Sequence, residues 1–167
     1  MVRFLHTADI HVGKMFSRFD EQTAARLREA RIVCLENLVK CAIKNDVKHI
    51  LVAGDFFDSM SVGIQDRRRA IEVLGQNTAV SWWILPGNHD PSASPVWDTV
   101  KGENLSNVTI LDSYDWVEME SGVWILPAPI SGASDGGDPT ALWEKIDTND
   151  GIKIGLAHGS VMSFGSQ

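Results

Sequence analysis

Asp9 and His11 stand two residues apart, directly after the apolar run Phe4–Ala8. Three further apolar runs end the same way: Ile50–Ala53 in Gly54-Asp55, Trp82–Leu85 in Gly87-Asn88-His89-Asp90, and Ile152–Ala157 in His158. Carboxylate, amide-carbonyl and imidazole donors are the groups that hold divalent cations. Strands of a parallel sheet deliver their last residues to its carboxyl edge, so four such junctions can surround one point. The chemistry expected there is two-metal hydrolysis.

Each junction has a plainer explanation when taken alone. An Asp-x-His triplet is often just loop polarity, but on an extended backbone Asp9 and His11 leave on the same side and make half a coordination shell. Gly54-Asp55 resembles any strand-to-helix turn, yet its carboxylate has two oxygens with which to bridge a pair of ions, and glycine permits close approach. Asn88 supplies a neutral carbonyl oxygen, and His89 an imidazole placed to face a substrate phosphate instead of a metal. His158 completes the set, and Asp58 is expected to support it by hydrogen bonding. His6 is three residues from Asp9 and should fall on the opposite sheet face, while His49 opens its strand at the wrong end; both are read as structural.

The elements that must position these groups follow from periodicity. Val2–Ala8 is a strand candidate, and Asp20 to Asn45 an amphipathic helix with Leu27, Ala30, Cys34, Leu38 and Cys41 on its inner stripe. Val47–Ala53 is a second strand, reached by a right-handed crossover. A helix from Gln65 to Leu74, stopped by Gly75, leads to a third strand, Val80–Leu85. Val108–Leu111, Trp116–Met119 and Val123–Leu126 read as short strands of a second, mixed sheet, with Glu120-Ser121-Gly122 as a hairpin turn. Pro127–Pro139 reads as a surface loop leading to a short helix begun by Pro139, and Gly151–Ala157 as a last strand. The class is α/β.

Composition narrows the function. The 167 residues suffice for one domain, 1–167, and 44% hydrophobic with 22% charged residues is ordinary globular usage. No stretch approaches the roughly 20 apolar residues of a membrane helix, and the first apolar run ends at Asp9 without a cleavage segment, so the expected location is cytoplasmic. A net charge of −7 disfavours non-specific attraction to a polyanion. Any nucleic-acid contact must therefore come from bound cations and local basic groups. Cys34 and Cys41, about 10 Å apart along one helix, are beyond disulfide reach and are expected to be small buried hydrophobes.

His6-Thr7-Ala8-Asp9-Ile10-His11, Ala53-Gly54-Asp55-Phe56-Phe57-Asp58 and Gly87-Asn88-His89-Asp90 resemble the first three signatures of the calcineurin-like metallophosphoesterases. The opening hexapeptide is similar to the DNA-repair exonuclease branch of SbcD type. The resemblance implies a layered αββα sandwich and a two-metal phosphodiester hydrolase, a DNA exonuclease subunit. It implies that Asp9 and His11 bind one ion, that Asp55 bridges, and that Asn88 and His158 bind the other. His89 would contact the phosphate and protonate or stabilise the leaving oxygen, with Asp90 orienting its ring. Manganese is the ion the resemblance favours, with Mg2+, Fe2+ or Zn2+ as alternatives. It also implies DNA as substrate and an SbcC-type ATPase as partner.

The family's last signature, Gly-His-x-His, has no counterpart after His158. The sandwich is accordingly expected to be C-terminally incomplete and the chain to self-associate, through apolar surface and a sheet edge left open. A phosphomonoesterase, or an interaction module with a vestigial metal site, are the alternatives. Arg67-Arg68-Arg69, and Arg26, Arg28 and Arg31, are expected on solvated helix faces. Trp82, Trp83, Trp116 and Trp124 are expected in the core, and Trp97 and Trp143 are candidates for nucleotide stacking.

Overall fold

The computed structural model describes residues 1–132, 138, 140, 141, 143 and 151–159. Alternation of apolar and turn residues yields strand β1 (Leu5–Thr7), helix α1 (Glu21–Lys44), β2 (His49–Ala53), α2 (Ile64–Gln76), β3 (Ser81–Leu85), α3 (Pro95–Gly102) and β4 (Val108–Ile110). After β4 come β5 (Val117–Glu120), β6 (Val123–Ala128) and β7 (Ile152–Ala157). The helix proposed to begin at Pro139 lies outside the described residues.

Strands β1-β2-β3-β4 form one sheet in that order, every pair parallel. Right-handed crossovers in a monotonic strand order place every helix on one face. Accordingly Leu35 and Val39 of α1, Ala70 and Leu74 of α2, and Trp97 of α3 share a core with Ile50, Val52, Trp82 and Ile84. The alternate residues Leu51, Trp83 and Leu85 face the other way, onto Val123 and Ile125 of β6 and Leu156 of β7. Sheet β5-β6-β7 is mixed, with β5 antiparallel and β7 parallel to β6. The described layers are thus helix, sheet and sheet.

Several sequence expectations are corrected. The strand at 108–110 belongs to the first sheet, beside β3, because α3, unforeseen, supplies a third crossover. Ser94 caps α3 with Pro95 in its first turn, a start signal overlooked among the loop residues. The residues of α1 that pack inward are Ala24, Ile32, Leu35, Val39 and Ala42, so the thiols of Cys34 and Cys41 lie on the exposed side. Both α1 ends match expectation: Asp20 accepts the Thr23 N–H, and Asn45 closes the C-terminus. Gly75 lies within α2, where its missing side chain admits Leu105 at close range. Pro127 is part of β6.

Trp97 is 1% exposed and packs on Phe57, so it is core and no stacking platform. Trp143 is partly buried against Gly155 of β7. Trp82 and Trp83 are core, whereas Trp116 and Trp124 are half-buried and tilted against each other. Arg69 pairs with Glu29 across α1 and α2. Arg31 is half-buried and donates to the Ile10 carbonyl beneath the site.

Asn107 ties the elements together at the end of the sheet opposite the ligands. Its buried amide donates to the carbonyls of Leu74 at 2.8 Å, Val80 at 3.0 Å and Asn77 at 3.3 Å, joining β4 to the end of α2 and the start of β3. Losing a buried amide that satisfies several carbonyls costs about 1–3 kcal/mol. Asn107→Ala is expected to lower the stability measured by urea unfolding by that amount without changing metal content.

Candidate metal centre

Chain geometry at the ligand loops departs from a simple strand end. Asp9, His11 and Asp55 all adopt left-handed backbone, with φ of 55°, 50° and 52°. Their convergence is therefore not a matter of alternation along an extended strand, as the spacing suggested. Such conformations are unfavourable for non-glycine residues and persist only where surroundings fix them. The fixing is visible: Asp9 N–H donates to the Gly54 carbonyl (3.2 Å), His11 N–H to that of Asp55 (2.9 Å) and Val12 N–H to that of Phe56 (2.8 Å). The two loops run side by side beyond the end of the sheet.

Asp55 is 3% exposed and sits between two groups of donors. Its Oδ1 accepts the His89 N–H at 3.0 Å. Its Oδ2 lies 3.8 Å from His11 Nε2, which is 3.7 Å from Asp9 Oδ1. The same Oδ2 lies 3.5 Å from His158 Nε2, which is 3.0 Å from Asn88 Oδ1. Two ligand clusters thus share one carboxylate oxygen. Ligand atoms around a cation at ordinary bond lengths stand about 3 to 3.5 Å apart, close to these separations.

The His158 ring gives an independent test of fit. Its Nδ1 is 2.8 Å from the Ala53 carbonyl, an acceptor, while Nε2 faces the oxygens of Asn88 and Asp55. A neutral ring can donate to only one side. With the proton on Nδ1, the Nε2 lone pair confronts two oxygens, an arrangement that a cation between them relieves. The residues present fit a pair of divalent ions: Asp9, His11 and Asp55 for one, Asp55, Asn88 and His158 for the other. Unlike the other junctions, His158 arrives from the second sheet, at the end of β7, and Gly54 makes room for it, since a Cβ there would overlap the ring. A side chain at Gly87 would likewise collide with Asp55.

His89 projects from the exposed rim, its ring edge-on to His11 with centroids 4.9 Å apart. Its Nδ1 is 2.9 Å from the Asp58 carbonyl, so Asp58 orients this ring; Asp90, assigned that task from sequence, does not. Asp90 is fully buried, and its carboxylate accepts Gly87 N–H at 2.7 Å and Phe57 N–H at 2.8 Å, pinning one ligand loop to the next. Burial pushes its pKa up to about 7 against the opposing pull of those two bonds. The Asp58 carboxylate meanwhile lies 3.1 Å from His11 Nδ1 and 2.9 Å from Lys14 Nζ. Lys14 went unremarked in the sequence, where only its place after His11-Val12-Gly13 marks it. His6 is exposed on β1, away from these clusters, and His49 is buried at the far end, accepting from the Trp83 indole at 3.2 Å.

A family comparison agrees with this geometry: residues 2–165 match calcineurin-like phosphoesterase, and the chain belongs to that family of dimetal-dependent phosphoesterases. Among curated proteins it is 29% identical over 93 residues, 52% of the chain, to the uncharacterized metallophosphoesterase YhaO of Bacillus subtilis, covering 22% of that protein. It is 28% identical over 98 residues, 58% of the chain, to the DNA double-strand break repair protein Mre11 of Methanosarcina mazei, covering 15% of it. It is also 28% identical over 95 residues, 54% of the chain, to an SbcCD nuclease subunit of Rhodobacter capsulatus, covering 22% of it. The aligned stretch is thus under a quarter of each relative's length. Among the described residues no helix is long and apolar enough to cross a membrane.

Two outcomes are expected. Asp90→Ala strands two buried N–H groups at about 1–3 kcal/mol each, so it should lower stability by about 2–6 kcal/mol. Weaker binding of added Mn2+ should accompany it in calorimetry, although Asp90 is not among the residues that would hold an ion. Metal ligation also needs neutral imidazoles, and burial, the main influence on His11, lowers its pKa below the usual 6.5. Binding of added Mn2+ should therefore hold from pH 8 through 7 and be lost only as pH falls through the lowered pKa of His11, below about 6.5.

Proposed function

We propose that this protein is a two-metal phosphodiester hydrolase of the nuclease type, acting on DNA, with manganese as its working ion. The observation that carries the reading is Asp55 Oδ2, shared between the His11 and His158 sides at 3.8 and 3.5 Å. The nuclease assignment is supported by the likeness to the SbcCD nuclease subunit, and DNA as substrate by the likeness to the DNA double-strand break repair protein Mre11. By the same likeness, an SbcC-type ATPase is the partner proposed.

A bound cation pair supplies charge neutralisation for the phosphoryl oxygens and a water of lowered pKa. The chain's own residues do the rest. Asp55 fixes the separation of the two ligand sets, because its Oδ1 is held by the His89 N–H while Oδ2 faces both His11 and His158. Asp9 and Asn88 close the sets from the exposed side. His89 is the residue proposed to act on the substrate phosphate. Its Nδ1–H stays on the Asp58 carbonyl in both the neutral and the charged ring, so a proton taken up at Nε2 can pass to the leaving oxygen without the ring turning.

Hydrolysis of bis(p-nitrophenyl) phosphate and of a DNA oligonucleotide with added Mn2+ tests the reading, with p-nitrophenyl phosphate as the monoester control. His89→Ala should lower kcat about 10²- to 10⁴-fold, the usual range for a lost general acid, with metal content nearly intact. Asp55→Ala should remove at least one ion by elemental analysis. Equal loss of metal in both variants would contradict the assignment of His89 to phosphate, and faster turnover of the monoester would contradict the diesterase.

A further inference from the structure

Lys14 has one ion-pair partner among the described residues, Asp58, and its position is unusual for a surface lysine. Its Nζ is 2.9 Å from Asp58 Oδ1, the same oxygen that lies 3.1 Å from Nδ1 of His11. The carbonyl of that same Asp58 holds Nδ1 of His89 at 2.9 Å. One residue therefore links the ammonium group to a metal-ligand ring and to the ring assigned to the phosphate. The backbone sets this up: Gly13 turns the chain at φ 86°, and Lys14 N–H returns to the His11 carbonyl at 3.3 Å.

Asp58 Oδ1 has two claimants and satisfies one. Lys14 takes it in hydrogen-bonding geometry, whereas the buried Nδ1 of His11 is near it but aligned with no acceptor. A buried donor left unpaired is unfavourable, so anything that draws the ammonium away allows Asp58 to turn to His11. An anionic phosphate at His89 is such a competitor. Lysine suits the exchange, with a compact charge on a flexible stem and a side chain 40% exposed. The acidic protein also needs local cations to hold a polyanion, its net charge being −7.

We propose that Lys14 binds a non-bridging oxygen of the substrate phosphodiester and is parked on Asp58 until substrate arrives, an inference that rests on the phosphodiesterase reading of the same site. The test compares wild type, Lys14→Gln and Lys14→Arg, each loaded with Mn2+. Binding of a fluorescein-labelled oligothymidylate is followed by anisotropy across a NaCl series, and bis(p-nitrophenyl) phosphate kinetics are measured in parallel. Lys14→Gln should weaken oligonucleotide binding about three- to tenfold and reduce the salt slope by about 0.7, the contribution of one single-strand phosphate contact. It should raise KM with kcat within about twofold and manganese content unchanged, and Lys14→Arg should restore most of the loss.

Unchanged affinity and salt slope in Lys14→Gln would overturn the proposal, as would loss of manganese from that variant or absence of oligonucleotide binding by wild type. If wild type binds but hydrolyses no diester, the phosphodiesterase reading falls, and the anisotropy comparison still decides whether Lys14 holds phosphate.

Discussion

A reciprocal clasp between two loops underlies the whole centre. Asp90, from the loop after β3, accepts the Phe57 and Gly87 N–H groups, while Asp55, from the loop after β2, accepts the N–H of His89. Each carboxylate is buried, and each satisfies backbone donors that would otherwise be stranded. The clasp fixes the Asp55 oxygens and the approach of the 86–90 loop together. Trp97 reinforces it by donating its indole N–H to the Asp90 carbonyl at 2.7 Å, which ties α3 to the site.

Around this clasp the chain accepts conformations that it would not choose alone. Three of the proposed ligands sit in left-handed backbone, and glycines at 54 and 87 are needed where a neighbouring side chain fills the space of a Cβ. Acceptor groups crowd together: Asp9, Asp55, Asn88, and the imidazoles of His11 and His158. Crowding of that kind is unfavourable by itself and favourable with cations among the donors, so cation binding and local order would reinforce one another.

Layering explains why the donors meet where they do. The first sheet is parallel and its helices lie on one face, which leaves the other face for the second sheet and sends the strand ends to a common edge. There β7 delivers His158 against the Ala53 carbonyl. The centre is consequently a seam between two sheets, and Leu51, Trp83, Leu85, Ile125 and Leu156 form the apolar floor that keeps those sheets in register.

Much of this was legible in the residues. Apolar runs ending in Asp, Asn and His marked the junctions, Asp20 and Asn45 marked the ends of α1, and the donor types specified divalent-cation chemistry. What sequence spacing misplaced were matters of direction. Two apolar stripes compete on α1, and only packing decides that Leu35 and Val39 turn inward while Cys34 and Cys41 do not. The strand at 108–110 reads the same for either sheet until Ser94 and Pro95 start the helix that carries it to β3. The partners of Asp90 and Asp58 depend on loops brought together from 31 to 47 residues away. The sequence by itself determined which donors exist and that each follows a strand. Tertiary structure decided which oxygen each histidine faces and that Asp58, instead of Asp90, aligns His89, because those choices depend on left-handed turns and cross-loop hydrogen bonds that no local pattern encodes.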